Sequence, residues 1–213
     1  MRAKAVLIPG TDLFESLGAL HDALPLIQFV EFPLFRRSDH AIVIFSDASW
    51  SSNSGRIGIV IWCPYRAKYF YSSSLVPPHL VAYFTYLQPQ STYIAQAELL
   101  AYTAAYFTYP DLLKGRLVHH FIDNTPARAN AITGTSSSTI FSRILHTYHV
   151  QVFSIACQPW AGFVYSEDNI ADLPSRSEFT LMRRLQATYL PANGYSAPLS
   201  MAFLSGFPWL LIG

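Results

Sequence analysis

Four carboxylates sit in four distinct settings: Asp47 in IVIFSDAS, Glu98 in IAQAELLA, Asp123 in LVHHFIDNTPARA and Asp172 in SEDNIADLPSR. Such a set suits hard divalent cations, because Mg²⁺ takes oxygen ligands and needs several of them close together. Brought to one place without cations, four acids would repel one another and stay partly protonated. Two divalent ions about 4 Å apart relieve that repulsion and serve in-line phosphodiester cleavage. Taken singly, each acid has an ordinary role. Asp47 and Asp123 can be turn residues, Glu98 a solvated helix residue and Asp172 a helix cap. The joint pattern is what points to chemistry.

The elements that must position these acids are readable in outline. Ala41 to Ser46 is a continuous apolar run with β-branched residues, which suits a strand buried on both faces. After a Ser/Asn/Gly turn, Arg56 to Trp62 is a second strand and Lys68 to Ser73 a third, giving an antiparallel meander. Val76 to Pro89 has no clear assignment. Ser91 and Thr92 precede an Ala/Leu-rich helix from Tyr93 to about Phe107. Arg116 to Ile122 is a fourth strand, followed by a short helix, Pro126 to Ala131. A further helix runs from Thr139 to about His149. Gln151 to Ala156 reads as the fifth strand, Pro159 to Glu167 as a loop, and Pro174 to about Thr188 as a last helix. The fold class is therefore α/β, a five-stranded mixed sheet of three antiparallel then two parallel strands, flanked by helices.

Asp47 follows the first strand and Asp123 ends the fourth. If those strands are adjacent and parallel, both acids emerge at one sheet edge, where open α/β sheets place their sites. Glu98 shares a helix stripe with Ala101, Tyr102 and Ala105 that would face the sheet. A carboxylate there is costly without a partner. Asp172 opens the last helical segment, where its charge suits a helix N-terminus.

At these residues the chain resembles the type 1 ribonuclease H family in its retroelement, reverse transcriptase-associated form. The resemblance runs from about Ala41 to Phe179. FSDAS matches the first-strand Asp motif, AELLA the helix Glu motif, FIDNTPA the fourth-strand Asp-Asn motif, and NIADLPSR the family's Asn-x-Ala-Asp-x-x-Ser-Arg ending. It implies a ribonuclease H-like fold and a two-metal endonuclease that cuts the RNA strand of an RNA–DNA hybrid. It maps catalysis and metal ligation onto Asp47, Glu98, Asp123 and Asp172, with two Mg²⁺ ions that Mn²⁺ can replace. It implies descent from a retrotransposon polyprotein, with a reverse transcriptase polymerase domain as a partner. The histidine that many members carry before the last Asp is absent from Gln158 to Asp168, and there is no basic handle segment.

Four further residues are substrate-binding candidates. Ser49 can touch the nucleic-acid backbone. Asn124 can hydrogen-bond the RNA 2′-hydroxyl or cap a helix. Arg128 lies one turn further on and can meet phosphate. Arg176 can bind phosphate or pair with Asp172. Trp50 reads as a core residue. His119 and His120 are adjacent in a strand, so they face opposite sides and read as packed histidines.

Composition bounds the rest. The chain has 213 residues, 51% hydrophobic and 13% charged, so a sizeable core is expected and bulk disorder is not. A net charge of +1 gives no broad basic field, so nucleic acid would be held by a local patch. Cys63 and Cys157 form no metal motif and read as buried thiols in a reducing, intracellular setting. No signal peptide is evident, and the apolar end is too short and too broken by Gly206 and Pro208 for a membrane span. Residues 1–40 read as an N-terminal extension, 41–189 as the catalytic domain and 190–213 as an apolar tail packing against it. A catalytically silent module of the same fold, binding nucleic acid or a protein, is the alternative. Other nucleases of the superfold space their acids differently.

Overall fold

The computed structural model describes residues 41–51 and 54–199, together with residues 17, 18, 21 and 24–26. The sequence also allows a helix over Leu13 to Val30, broken at Pro25; that stretch lies almost wholly outside the described residues.

Strands β1 (Ile42–Ser51), β2 (Ser54–Cys63) and β3 (Lys68–Leu75) form the antiparallel meander. Helix α1 (Pro78–Leu87) follows, with Pro at its first turn, over the stretch left unassigned by the sequence. Then come α2 (Ile94–Thr108) and the single turn α3 (Pro110–Leu113). Next are β4 (Leu117–Ile122), α4 (Thr125–Thr133) and α5 (Thr139–Ser154). The last elements are β5 (Gln158–Phe163), the short helices α6 (Asp172–Ser175) and α7 (Thr180–Arg184), and β6 (Thr188–Tyr189). The sheet order is β5-β4-β1-β2-β3-β6. β4 runs parallel to both β1 and β5, and β6 parallel to β3. The fold is thus the expected mixed sheet flanked by helices, with six strands instead of five.

Strand alternation divides the core. Ile57, Ile59 and Ile61 of β2 face the main core, packed with Leu99, Ala101, Tyr102 and Ala105 of α2 and Ile144, Leu145 and Tyr148 of α5. Val60 faces the other way, against Ala171 and Met182. Helix α2 is buried continuously from Gln96 to Tyr106, as a helix apolar on all sides must be. Leu190, Ala192, Tyr195 and Leu199 also pack on the main core.

Two assignments change. Gln151 to Ala156 is not a strand: its first part completes α5, because the buried row Phe141, Leu145, Tyr148, Val152 keeps the helical period through the β-branched residue. The fifth strand is Gln158–Phe163, most of which the sequence reading placed in a loop from Pro159 to Glu167. That strand is a sheet edge, where a residue without N–H is tolerated. The last helix is also not continuous. Ser177 takes a left-handed conformation at φ 64°, separating α6 from α7, and Gln186 does the same at φ 51° after α7. Among the described residues, no helix is long and apolar enough to cross a membrane. Cys63 and Cys157 are buried free thiols.

Candidate metal centre

The parallel pairing of β1 and β4 sets Phe45 beside Phe121. Asp47 stands two residues further along β1, and Asp123 directly follows the end of β4. β1 continues to Ser51, so Asp47 lies within the strand and not at its end. Glu98 reaches the same point from α2, which packs across β1 and β2. One carboxylate oxygen from each of Asp47, Glu98 and Asp123 lies within 4.8 Å of the others. Asp47 and Glu98 are each only 4% exposed, while Asp123 is half-buried.

The electrostatics of this cluster are unfavourable in the bare protein. Burial pushes the Glu98 carboxyl up to about 9, the negative charges of Asp47 and Asp123 push the same way, and a hydrogen bond from the Ala48 backbone opposes them. Burial also raises Asp47, to about 7, against a hydrogen bond from Ser175, with Asp123 and Asp172 adding to the rise. Glu98 Oε2 is buried with no hydrogen-bond partner. An orphaned buried oxygen on a carboxylate that converges with two others is what a cation would satisfy. The three residues present therefore fit a divalent metal.

Asp172 stands apart from the three. It opens α6, and its Oδ1 accepts from Arg176 Nε at 2.6 Å. It is close enough to raise Asp47 but is not among the three converging carboxylates. Of the two roles weighed for Arg176, the ion pair is the one formed. Ser49 Oγ donates to the Ser175 carbonyl at 2.6 Å, so its hydroxyl ties β1 to α6. Asn124 caps α4, its Oδ1 accepting from Ala127 N at 3.0 Å. The Arg128 guanidinium lies 5.9 Å from the Phe163 ring centroid, and its Nε is buried without an acceptor. Trp50 packs edge-on against Tyr93. His120 is fully buried, whereas His119 lies against Trp160 on the other face.

The residues that hold Asp47 were missed in the sequence. Ser175 is fully buried and its hydroxyl donates to Asp47 Oδ2. Gly58 is paired with Asp47 across the β1–β2 ladder. A Cβ there would collide with the Ala171 carbonyl oxygen and the Ser175 amide nitrogen. Ser73 Oγ donates to the Pro174 carbonyl at 2.7 Å, and Asn169 Nδ2 donates to the Ser46 carbonyl at 3.1 Å. A glycine inside an apolar strand was the available signal, since it marks a close backbone approach. Ser175 and Asn169 lay three residues either side of Asp172 in the motif, with nothing in their spacing to say what they bind.

No protein-family model matches the chain, and neither does any curated protein. Among solved structures the chain is similar to RNase H1 from the halophilic archaeon Halobacterium salinarum NRC-1, at 13% identity and a TM-score of 0.45. That likeness covers 62% of this chain and 90% of that one.

Proposed function

We propose that residues 41–189 form a divalent-metal-dependent endonuclease that hydrolyses the RNA strand of RNA–DNA hybrids, derived from a retroelement reverse transcriptase polyprotein. The observation that carries this reading is the convergence of Asp47, Glu98 and Asp123 from β1, α2 and β4. The motif resemblance around the same residues supports the substrate. Asp47, Glu98 and Asp123 would hold the metal, with Asp172 completing the set for a second ion, Mg²⁺ in both places or Mn²⁺ in its stead. Such ions supply an activated water and neutralise charge at the leaving oxygen.

The protein's own part is to fix ligands and substrate. Ser175 holds Asp47 in one orientation through its hydroxyl. Asn124 spends its Oδ1 on the helix cap, so its NH₂ is the group offered to the RNA 2′-hydroxyl. Arg128, whose guanidinium lies 5.9 Å from the Phe163 ring centroid, is the cation proposed to meet a backbone phosphate. Ser49 and Arg176 line one groove beside α6. A reverse transcriptase polymerase domain is the proposed protein partner.

The test is cleavage of an RNA–DNA hybrid by the wild type and by Asp47→Asn with Mg²⁺ and with Mn²⁺. Wild type should cut the RNA strand and the variant should not. A hybrid left intact by wild type with either metal would favour the second reading, a silent nucleic-acid-binding module. The pairing of Asp172 with Arg176 is the observation on that side.

A further inference from the structure

One buried imidazole touches the elements that carry all three converging acids. His120 belongs to β4, three residues before Asp123, and is fully buried. Its Nε2 lies 2.9 Å from the hydroxyl of Ser46, the β1 residue preceding Asp47. Its Nδ1 lies 3.3 Å from the hydroxyl of Tyr106. Tyr106 stands on α2, two helical turns after Glu98. Tyr102, one turn nearer Glu98, stacks on the imidazole with ring centroids 4.1 Å apart and reaches Tyr148 of α5 through its hydroxyl at 3.2 Å. The Ser46 carbonyl in turn accepts from Asn169, just ahead of Asp172.

Polar groups in such a place are expensive. Leucine and phenylalanine would fill the same volume without desolvating an imidazole and hydroxyls. A fully satisfied buried network offers instead one fixed arrangement of the elements it joins. Desolvation holds His120 well below its usual range, so the ring is neutral. A neutral ring has one donor and one acceptor nitrogen, and both are used here. An apolar contact tolerates a slip of α2 along the sheet. Two directed hydrogen bonds from one ring do not.

We propose that His120 is a positioning residue: by bonding Ser46 and Tyr106 it locks β1, β4 and α2 in the register that makes Asp47, Glu98 and Asp123 one cation site. The proposal rests on the metal reading of those three acids. It assigns His120 no contact with metal or substrate.

The test is Mn²⁺ affinity by calorimetry, alongside thermal melting and the kcat–KM split on hybrid. Ser46→Ala, His120→Leu and Tyr106→Phe are combined, so that no partner is left orphaned in the core. The triple variant should melt cooperatively, bind Mn²⁺ about tenfold more weakly and lose kcat with KM unchanged. His120→Gln, whose amide can still reach Ser46, should recover part of the affinity. A merely structural histidine would shift the melting temperature and leave the affinity of the folded protein alone. A folded triple variant that binds Mn²⁺ as wild type does overturns the proposal. Should the triple variant not fold, Tyr106→Phe alone decides, because it cuts the α2 tether to His120 and leaves the Ser46 bond and the Tyr102–Tyr148 bond in place: a few-fold loss of affinity is expected, and none overturns the proposal. Wild type that takes up no Mn²⁺ overturns the metal reading itself, a result separable from the others.

Discussion

Gly58 lies beneath Ser175, and the space its Cβ would need is occupied by the Ser175 amide nitrogen and the Ala171 carbonyl oxygen. Because Gly58 also pairs with Asp47, the missing side chain lets α6 settle directly over that carboxylate. Both clashing atoms are backbone, so neither can swing aside. Gly58→Ala should therefore lift α6 from the sheet, costing about 1–3 kcal/mol of overpacking strain. Equilibrium denaturation measures the loss. Divalent-metal affinity should fall with it, since Ser175 can no longer reach Asp47.

Ser175→Ala separates the hydrogen bond from the packing. The serine hydroxyl favours the ionised form of Asp47, partly offsetting the rise caused by burial. Without it the Asp47 carboxyl should titrate higher than about 7 and be less ionised at neutral pH. Mn²⁺ affinity should drop at pH 7 and recover as pH is raised, which a calorimetric series across pH 6 to 9 would follow. Loss of affinity that is constant with pH would contradict this account.

Asp47, Glu98 and Asp123, and the elements that bring them together, were legible because they obey local rules. Asp47 and Asp123 follow β-branched apolar runs, and Glu98 sits on a helix apolar enough to require burial. What failed was where local and tertiary preferences disagree. Val152 and Phe153 have strand propensity, but the row from Phe141 to Val152 buries against α2 and continues the helix. Pro159 denies β5 a ladder donor, yet an edge position tolerates it. The clamp around Asp47 was illegible for a different reason. Ser49, Ser73 and Ser175 are common surface residues, and their bonds span 126, 101 and 128 residues of chain. No spacing rule reaches that far. His120 was read as a packed histidine, and so it is, but its two partners lie 74 and 14 residues away.

The metal-free protein should lose stability as pH rises. Glu98 and Asp47 have folded-state values of about 9 and about 7, above the ordinary 4.5 and 3.8. The unfolded chain therefore ionises them first. Their burial costs nothing below about pH 4, and the penalty grows through pH 7 for Asp47 and pH 9 for Glu98. Each group adds a slope of at most about 1.4 kcal/mol per pH unit within its window. Melting temperature measured with chelator present should fall between pH 5 and 9, and Mn²⁺ should cancel most of the fall. Glu98→Gln should flatten the upper part of the curve while weakening metal binding. A chelated wild type equally stable at pH 5 and 9 would contradict the raised values.

Arg176 offers the test of the fourth acid. Its Nε holds Asp172 at 2.6 Å, and its charge also lowers Asp47. The arginine side chain is 67% exposed and Asp172 34%, so breaking the pair should cost under about 1 kcal/mol. The larger effect falls on the cation. Arg176→Ala removes a positive charge from the rim and frees the Asp172 carboxylate. Both changes favour a divalent ion, so Mn²⁺ should bind a few-fold more tightly. The Coulomb part remains when Asp172→Asn is added, but the ligand part does not. If Asp172 takes part in holding metal, the double variant should therefore lose more affinity relative to Arg176→Ala than Asp172→Asn loses relative to wild type. The calorimetric cycle over the four proteins reads that difference directly. Equal losses would leave Asp172 as a distant charge only, and hold metal binding to Asp47, Glu98 and Asp123.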